Sequence, residues 1–189
     1  MDLCLFSLVC LRSCNKIGMA VNNMTIPVLT IIAKSGSGKT TLIEKLIAEI
    51  KRRGYKLATI KHHSHAGFDI DKPGKDSWRF AQAGSDHVII AAPDKIAGYR
   101  LLEQELTLDE ILETISGVDL ILVEGYKRAG KPALEIVRAE LGTGLIGGQE
   151  QLIAVASDVL LDLEVPQFDL DDIVEIAAFI EQTFIDGTT

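Results

Sequence analysis

Closely spaced glycines, followed by a lysine and two threonines, form a sequence that can bind phosphate groups. They lie in the segment 33–41, which reads AKSGSGKTT. Gly36 and Gly38 can adopt backbone angles that other residues avoid, so phosphate oxygens can approach the main-chain N–H groups. The ammonium group of Lys39 can neutralise the outer phosphates, and the hydroxyl of Thr40 can bind magnesium. The segment therefore predicts a site for a purine nucleoside triphosphate with magnesium.

The same segment matches the Walker A pattern, except that Ala33 stands at the position of the first glycine. It lies between an apolar strand and an amphipathic helix, an arrangement in which the helix N-terminus points its N–H groups at an anion. A glycine-rich turn that binds nothing is the alternative interpretation. The residues predicted to bind the nucleotide are Ser35, Gly36, Ser37, Gly38, Lys39, Thr40 and Thr41, the last through the α-phosphate.

A second lysine, Lys34, gives the segment a further interpretation. The sequence KSGSGKT resembles the deviant Walker A motif of dimeric P-loop ATPases, in which an additional lysine reaches the nucleotide of the partner subunit. That lysine is normally followed by two glycines, whereas Ser35 follows it here. Lys34 is therefore predicted either to act across a dimer or to be a solvated loop lysine.

Carboxylates that could hold magnesium follow the apolar strands. Glu124 comes directly after the run 118–123 (VDLILV), where a Walker B carboxylate would bind the ion directly or through water. We predict that Lys39 and Glu124 are the catalytic pair of the site, and that Thr40, Glu124 and Asp69 bind the metal. A surface acid at the end of a strand is the other interpretation of Glu124.

Three histidines, His62, His63 and His65, precede Asp69 and Asp71 in a polar segment. Such a group could hold zinc, but it includes no cysteine and no pair of ligands one helical turn apart. Contact with phosphate or a substrate at the carboxyl edge of the sheet fits this loop better. A solvated loop remains open, and the two aspartates are alternatives to Glu124 as magnesium ligands.

The elements that must position these residues alternate between strands and helices. Thr107 and Glu110 form a capping box before one helix, and Pro93-Asp94 marks the turn of a hairpin. The predicted strands are 25–32, 55–61, 87–92, 95–101, 118–123, 134–139 and 152–156, and the predicted helices are 40–53, 77–83, 108–115 and 170–185. This order predicts an α/β fold, in which helices cover both faces of a mostly parallel sheet and a β-hairpin extends from it.

The composition limits the class of protein. With 189 residues the chain fits one domain, which we predict to cover residues 24–189. The net charge of −8 argues against binding to nucleic acid. All three cysteines precede Met24, which excludes a disulfide framework from the main body. We expect a cytoplasmic protein that does not contact membranes.

The first 23 residues are predicted to be a leader without a role in the fold. Their apolar run 3–11 is shorter than the roughly 20 residues that a helix needs to cross a bilayer. Asp2 stands where a signal peptide has a basic residue. We therefore expect translation to start at Met19 or Met24, and residues 1–23 to be disordered or an artefact of start-site assignment.

Four sequence blocks together resemble one family. They are SGSGKTTL (35–42), IKHHSHAGFDIDKPGKDS (60–77), DLILVEGYK (119–127) and IAVASD (153–158). They resemble molybdopterin-guanine dinucleotide biosynthesis protein B, the MobB family of accessory GTP-binding proteins in molybdenum cofactor maturation. The second and third blocks are far more discriminating than the first, which many activities share.

The resemblance implies a three-layer P-loop NTPase fold, a homodimer, binding of GTP with Mg²⁺, and slow hydrolysis. Proteins of this type assist a guanylyltransferase that joins GMP to molybdopterin, by delivering either the nucleotide or the pterin. By this resemblance the predicted substrate or partner loop contains Lys61, His62, His65, Asp69, Asp71, Gly74, Lys75 and Asp76. A third functional loop contains Glu124, Gly125 and Lys127.

The choice of base follows from the resemblance alone, because the sequence contains no Asn-Lys-x-Asp motif that would read guanine. Asp158 follows the predicted strand 152–156. Its carboxylate could accept hydrogen bonds from N1 and N2 of guanine. We therefore include Asp158 among the predicted nucleotide-binding residues.

Three other functions remain open. A small-molecule kinase would use the same phosphate site, but its arginine-rich lid has only Arg128 and Arg138 as candidates, and they form no cluster in the sequence. An adapter without turnover would use the nucleotide only to set its conformation. The histidines suggest an insertion GTPase for another metal, such as nickel.

Overall fold

The computed structural model describes residues 25–63 and 67–188. The expectations about residues 1–23, and the contact expected of His65, lie outside the described residues. Within them, no helix is long and apolar enough to cross a membrane.

A parallel sheet with six strands forms the centre of the fold, and its strands follow the order β2-β5-β1-β6-β7-β8. These strands are β1 (Val28–Ala33), β2 (Leu57–Lys61), β5 (Leu120–Glu124), β6 (Ala133–Val137), β7 (Leu152–Ser157) and β8 (Gln167–Phe168). The strands β3 (His87–Ala92) and β4 (Lys95–Arg100) form a separate antiparallel hairpin, as the turn at Pro93-Asp94 predicts. The first strand lies in the interior of the sheet, so its carboxyl end is flanked by neighbours on both sides.

Helices cover both faces of this sheet because its central strands carry buried apolar side chains on both faces. Leu29 and Leu122 face α1 (Lys39–Arg52) and α4 (Ile173–Ile180). Ile121 and Val123 face the other side, where α3 (Leu108–Leu112) packs. Each of these fully buried side chains stabilises the fold by about 1.5–3 kcal/mol. The predicted arrangement of a mostly parallel sheet between helical layers is confirmed.

The helix that follows the phosphate-binding segment begins directly after Gly38. Its apolar side chains repeat with helical spacing, so Leu42, Leu46 and Ile50 are buried against the sheet. Gly54, at φ 98°, follows the end of the helix in the left-handed region, as the sequence predicts for a C-terminal stop. This packing holds the first turn of α1 at the carboxyl end of β1.

Several element boundaries differ from the predictions. The helix α2 (Asp76–Gln82) takes Lys75 rather than Asp76 as its N-cap residue. The last helix begins at Ile173 rather than at residue 170, because Asp169 Oδ1 accepts a hydrogen bond from the N–H of Asp171 and keeps that turn out of the helix. It continues as a π-turn from Glu181 to Ile185. The two-residue strand β8 was not predicted, and it is too short to produce a periodic signal.

Candidate functional site

The segment between β1 and α1 has the geometry of a phosphate cradle. Gly36 and Gly38 have φ angles of 80° and 83°, in the left-handed region that glycine adopts without strain. The hydroxyl Oγ of Ser37 is buried and has no hydrogen-bond partner among the described residues. A buried polar atom without a partner is costly, and an anionic oxygen in the cradle would satisfy it.

Lys39 and Glu124 meet at the end of this cradle. The strands β1 and β5 are neighbours with Ile31 opposite Glu124, which places the carboxylate beside the first turn of α1. The distance from Lys39 Nζ to Glu124 Oε1 is 2.6 Å, and the two side chains are 22% and 17% exposed. Lys61, at the end of β2, has its Nζ 3.9 Å from the other oxygen of Glu124. The structure therefore brings together the predicted pair Lys39 and Glu124, and adds Lys61.

The two threonines lie on the exposed first turn of α1. Thr40 and Thr41 are both exposed, and Thr40 directly follows Lys39. A hydroxyl and a carboxylate are oxygen donors of the kind that magnesium prefers. Thr40 and Glu124 thus fit a magnesium ion in their chemistry.

Arg138 and Asp158 lie on the opposite flank of the cradle from Glu124. Arg138 Nε donates a hydrogen bond to the carbonyl oxygen of Ser37 at 2.8 Å, and its Nη1 lies 3.8 Å from Asp158 Oδ2. Asp158 Oδ1 accepts a hydrogen bond from the N–H of Ala139 at 2.8 Å. The predicted nucleotide residue Asp158 is therefore linked to the cradle through Arg138, which the sequence analysis had considered only as part of a kinase lid. The available signal was an arginine directly after a buried strand.

Lys34 makes contacts that neither of its two interpretations predicts. Its Nζ donates hydrogen bonds to the carbonyl oxygens of Leu141 and Gly142 at 3.0 and 2.8 Å. These carbonyls lie at the end of the 3-10 turn Ala139–Leu141, where a cation stabilises the unpaired carbonyl groups. Lys34 therefore joins the start of the cradle to the loop that follows β6.

Glu135 anchors the same loop from inside the protein, and it is not among the residues predicted from the sequence. The side chain is only 1% exposed. Its oxygens accept hydrogen bonds from the N–H groups of Ile146 at 2.7 Å and Gly147 at 3.0 Å. A Cβ atom on Gly147 would come within 2.4 Å of Ile32 Cδ1, so the loop lies directly on β1. A carboxylate in the middle of the buried strand LEIV was the signal, since a buried charge requires hydrogen-bond donors.

A cavity of about 900 Å³ adjoins Lys39 on the α3 side of the sheet. His62 and Lys127, two of the predicted substrate or partner residues, line it together with Tyr126. His62 Nε2 lies 3.2 Å from Glu105 Oε1, a further lining residue. Burial, and then the nearby carboxylate of Glu105, raise the pKa of Tyr126.

No described hydrogen bond or ion pair joins the rest of the predicted substrate or partner loop to the cradle. Asp69 is exposed, and no described hydrogen bond or ion pair joins it to Lys39, Thr40 or Glu124. Asp71 Oδ1 accepts a hydrogen bond from the N–H of Lys72 at 2.7 Å. The remaining residues are Gly74, with φ 86°, and Lys75 and Asp76, which form the start of α2. In the described ranges 25–63 and 67–188, no group of three or more His, Cys, Asp or Glu side chains could hold a metal ion.

Comparison with known proteins shows which family the chain resembles. The family model described as MobB, molybdopterin guanine dinucleotide synthesis protein B, matches residues 28–158. The molybdopterin-guanine dinucleotide biosynthesis adapter protein of Haemophilus influenzae is 40% identical over 161 residues, which cover 84% of this chain and 90% of the relative. The protein of the same name from Escherichia coli is 39% identical over 163 residues, 82% of this chain and 91% of the relative.

A solved structure shows the same architecture. The crystal structure of molybdopterin-guanine biosynthesis protein B superposes with a TM-score of 0.66 at 32% identity, covering 82% of this chain and 98% of that one. This similarity confirms the P-loop NTPase fold that the sequence predicts. The chain belongs to the MobB family of molybdopterin guanine dinucleotide synthesis proteins.

Proposed function

We propose that the protein binds GTP with Mg²⁺ and acts in the cytoplasm as an adapter in molybdopterin guanine dinucleotide biosynthesis, where it assists the guanylyltransferase. The observation that carries the proposal is the cradle between β1 and α1. Its buried Ser37 hydroxyl, its two left-handed glycines and the Lys39–Glu124 pair suit a triphosphate with a metal ion. The biosynthetic role comes from the two adapter proteins that this chain resembles.

The Lys39–Glu124 pair suggests how nucleotide binding is linked to the metal. When a triphosphate enters the cradle, Lys39 exchanges the carboxylate for the β- and γ-phosphates. Glu124 would then face an anion, and Glu124 and Thr40 are the residues that would hold a magnesium ion, whose charge would offset this repulsion. Magnesium supplies charge neutralisation between the outer phosphates when bound. The slow hydrolysis that we propose rests on family membership and on these same residues.

The positions of the two arginines fit an adapter function better than a kinase function. Arg138 contacts Ser37 on one flank of the cradle, and Arg128 lines the cavity on the other. The two guanidinium groups therefore do not converge as the lid of a small-molecule kinase would. We propose that nucleotide occupancy sets the state in which the protein engages the guanylyltransferase.

Calorimetric titration with GTP and ATP, each with and without magnesium, tests the proposal. We expect one GTP per chain. Magnesium should raise the affinity for GTP at least roughly tenfold, and ATP should bind at least roughly tenfold more weakly than GTP. Each tenfold change in affinity corresponds to about 1.4 kcal/mol of binding free energy. Equal affinity for both nucleotides would remove the guanine preference. Failure to bind either nucleotide would contradict the proposal as a whole.

The hairpin supports the further proposal that the protein is a homodimer. Strands β3 and β4 pair only with each other among the described strands. Ile89 and Ile90 point to opposite faces of the hairpin, and both are exposed, as is Ile96 on β4. Val88 of β3 is buried, but these isoleucines stay exposed, and a two-stranded hairpin with uncovered apolar side chains gains little stability in water. A second copy of the chain would cover these faces.

Replacing Ile96 with aspartate should therefore convert the dimer to a monomer. The side chain is 75% exposed, so a charge there costs a lone subunit little but is unfavourable in an apolar interface. Sedimentation equilibrium should give twice the chain mass of 20.5 kDa for the unmodified protein and the chain mass for the variant. The matched control is Val174→Asp, at an α4 residue that is 57% exposed, and it should remain a dimer. A monomeric unmodified protein would contradict the proposal.

A further inference from the structure

The cavity beside Lys39 has the size of a site for a second small molecule. Its volume of about 900 Å³ lies within the range of roughly 300–1,000 Å³ that small-molecule sites occupy. A terminal phosphate group at Lys39 would fill only a small part of that space. The cavity opens at the carboxyl ends of β1, β2 and β5, the edge at which parallel α/β sheets bind ligands. Asp158 and Arg138 lie on the other flank of the phosphate cradle. The flank that carries the cavity is therefore available to a different molecule.

An aromatic wall of the cavity is held in a strained backbone conformation. Tyr126 has φ 49°, which makes it the one non-glycine residue with a positive φ in the part of the chain that the structure describes. Gly125 before it has φ 97°, and a Cβ atom there would come 3.0 Å from the Cβ of His62. The rings of His62 and Tyr126 therefore approach to 4.3 Å between centroids. Such strain costs about 1–3 kcal/mol and persists where the surroundings hold it, often at binding sites.

The opposite wall is fixed by the buried carboxylate of Glu135. Ile146 lines the cavity, and its N–H group donates to Glu135 Oε1 at 2.7 Å. Lys34 holds the beginning of the same loop through the carbonyls of Leu141 and Gly142. The aliphatic side of the cavity is thus anchored to the sheet at two points, which favours a preformed site.

The charge of the lining selects an anionic ligand. Lys39, Lys127 and Arg128 line the cavity with Glu105 as the acid among its lining residues, whereas the whole chain has a net charge of −8. Neither Lys127 nor Arg128 makes a hydrogen bond or ion pair with any residue in the ranges 25–63 and 67–188. Two cations without partners at the rim are suited to a phosphate group.

We propose that this cavity binds a phosphorylated pterin, next to the outer phosphates of the nucleotide. The Tyr126 ring, which packs against His62 at 4.3 Å between centroids, lines the cavity and provides an aromatic surface for the fused heterocycle. Glu105 can accept hydrogen bonds from the 2-amino and N3–H groups of the pterin, while Lys127 and Arg128 bind its phosphate. The inference rests on the proposed function, since it assigns the second substrate of that biosynthesis to a site on this chain.

The test uses 6-hydroxymethylpterin monophosphate as the probe, with the full chain saturated by a non-hydrolysable GTP analogue and magnesium. Equilibrium dialysis, read out by pterin fluorescence, should show one probe per chain. The unphosphorylated 6-hydroxymethylpterin should bind at least roughly tenfold more weakly, because it lacks the charge-assisted contacts. Uptake of a second guanine nucleotide in place of the probe would overturn the inference.

Two variants distinguish the contribution of the Tyr126 ring to binding from that of the cations that contact the phosphate group. Tyr126→Asn removes the ring but tolerates the left-handed backbone, and it should weaken both probes at least roughly tenfold. The double variant Lys127→Ala with Arg128→Ala, both on the exposed rim, should weaken only the phosphorylated probe. Lys56→Ala, an exposed lysine at the amino edge of the sheet, is the matched control and should change nothing.

GTP affinity measured on the same samples distinguishes the two proposals. Tyr126→Asn should bind GTP within about threefold of the unmodified protein, since the ring lies outside the phosphate cradle. Normal GTP binding without saturable probe binding would overturn the pterin site and leave the proposed function standing. Probe binding that neither variant weakens would also overturn it. Loss of GTP binding by the unmodified protein would contradict the proposed function, and this inference with it.

Discussion

Lys39→Ala is expected to weaken GTP binding by roughly 100-fold or more, which corresponds to about 2.7 kcal/mol. Two effects combine in this loss. The phosphates lose the ammonium group that neutralises their outer end. In addition, Glu124 loses its partner at 2.6 Å and presents a negative charge to the phosphates from a position only 17% exposed. Filter binding or calorimetry with magnesium and GTP measures the change.

A second substitution separates these two effects. Glu124→Gln in the Lys39→Ala background removes the repulsive charge, so it should restore about tenfold of the affinity in the absence of magnesium. Glu124→Gln alone should bind GTP without magnesium at least as well as the unmodified protein does. Its affinity for GTP should rise less when magnesium is added. A double variant no better than Lys39→Ala would show that repulsion by Glu124 is absent.

Lys51→Ala is the matched control for the loss of a lysine from α1. Its Nζ donates to the carbonyl oxygen of Tyr55 at 3.0 Å, at the other end of the same helix. This variant should bind GTP like the unmodified protein, and circular dichroism should show equal helix content in both lysine variants. Retained GTP binding by Lys39→Ala would contradict the proposed phosphate site.

The architecture could be predicted from the sequence because the strands and helices carry their own periodic signals. Runs such as 120–123 (LILV) are apolar at every position, which is typical of a strand buried on both faces. The spacing of Leu42, Leu46 and Ile50 fixed the burial of α1. The two residues at the centre of the site, Lys39 and Glu124, were predicted from local motifs, and the pairing of β1 with β5 brings them together.

The contacts that support the site could not be predicted, because they depend on the path of a loop. Glu135 binds the N–H groups of Ile146 and Gly147, which any residue type could supply. The same holds for Lys34, whose acceptors are main-chain carbonyl groups more than 100 residues away. Sequence patterns report side-chain chemistry and spacing, whereas these bonds join a side chain to the backbone of a distant segment. Arg138 was recognised as a cation, but its contact with the Ser37 carbonyl required the position of β6 beside β1.

Asp158→Asn is expected to change the base preference from guanine to xanthine. A carboxylate accepts hydrogen bonds from both N1–H and the 2-amino group of guanine, whereas an amide donates to the 2-oxo group of xanthine. GTP affinity should fall by roughly 10- to 100-fold, as expected when a polar site and its ligand no longer match, and XTP affinity should rise. Competition of both triphosphates against a fluorescent GTP analogue measures this change.

The fold should survive this substitution, so the change in base preference can be attributed to the base contact. Asp158 Oδ1 accepts the N–H of Ala139 at 2.8 Å, and the carbonyl oxygen of asparagine can keep that bond. The other oxygen lies 3.8 Å from Arg138 Nη1, a distance that contributes little at a partly exposed position. Asp162→Asn, an acid four positions along the chain, is the matched control and should leave the preference for GTP unchanged. If Asp158→Asn binds GTP and XTP with the same affinities as the unmodified protein, the side chain of Asp158 does not contact the base.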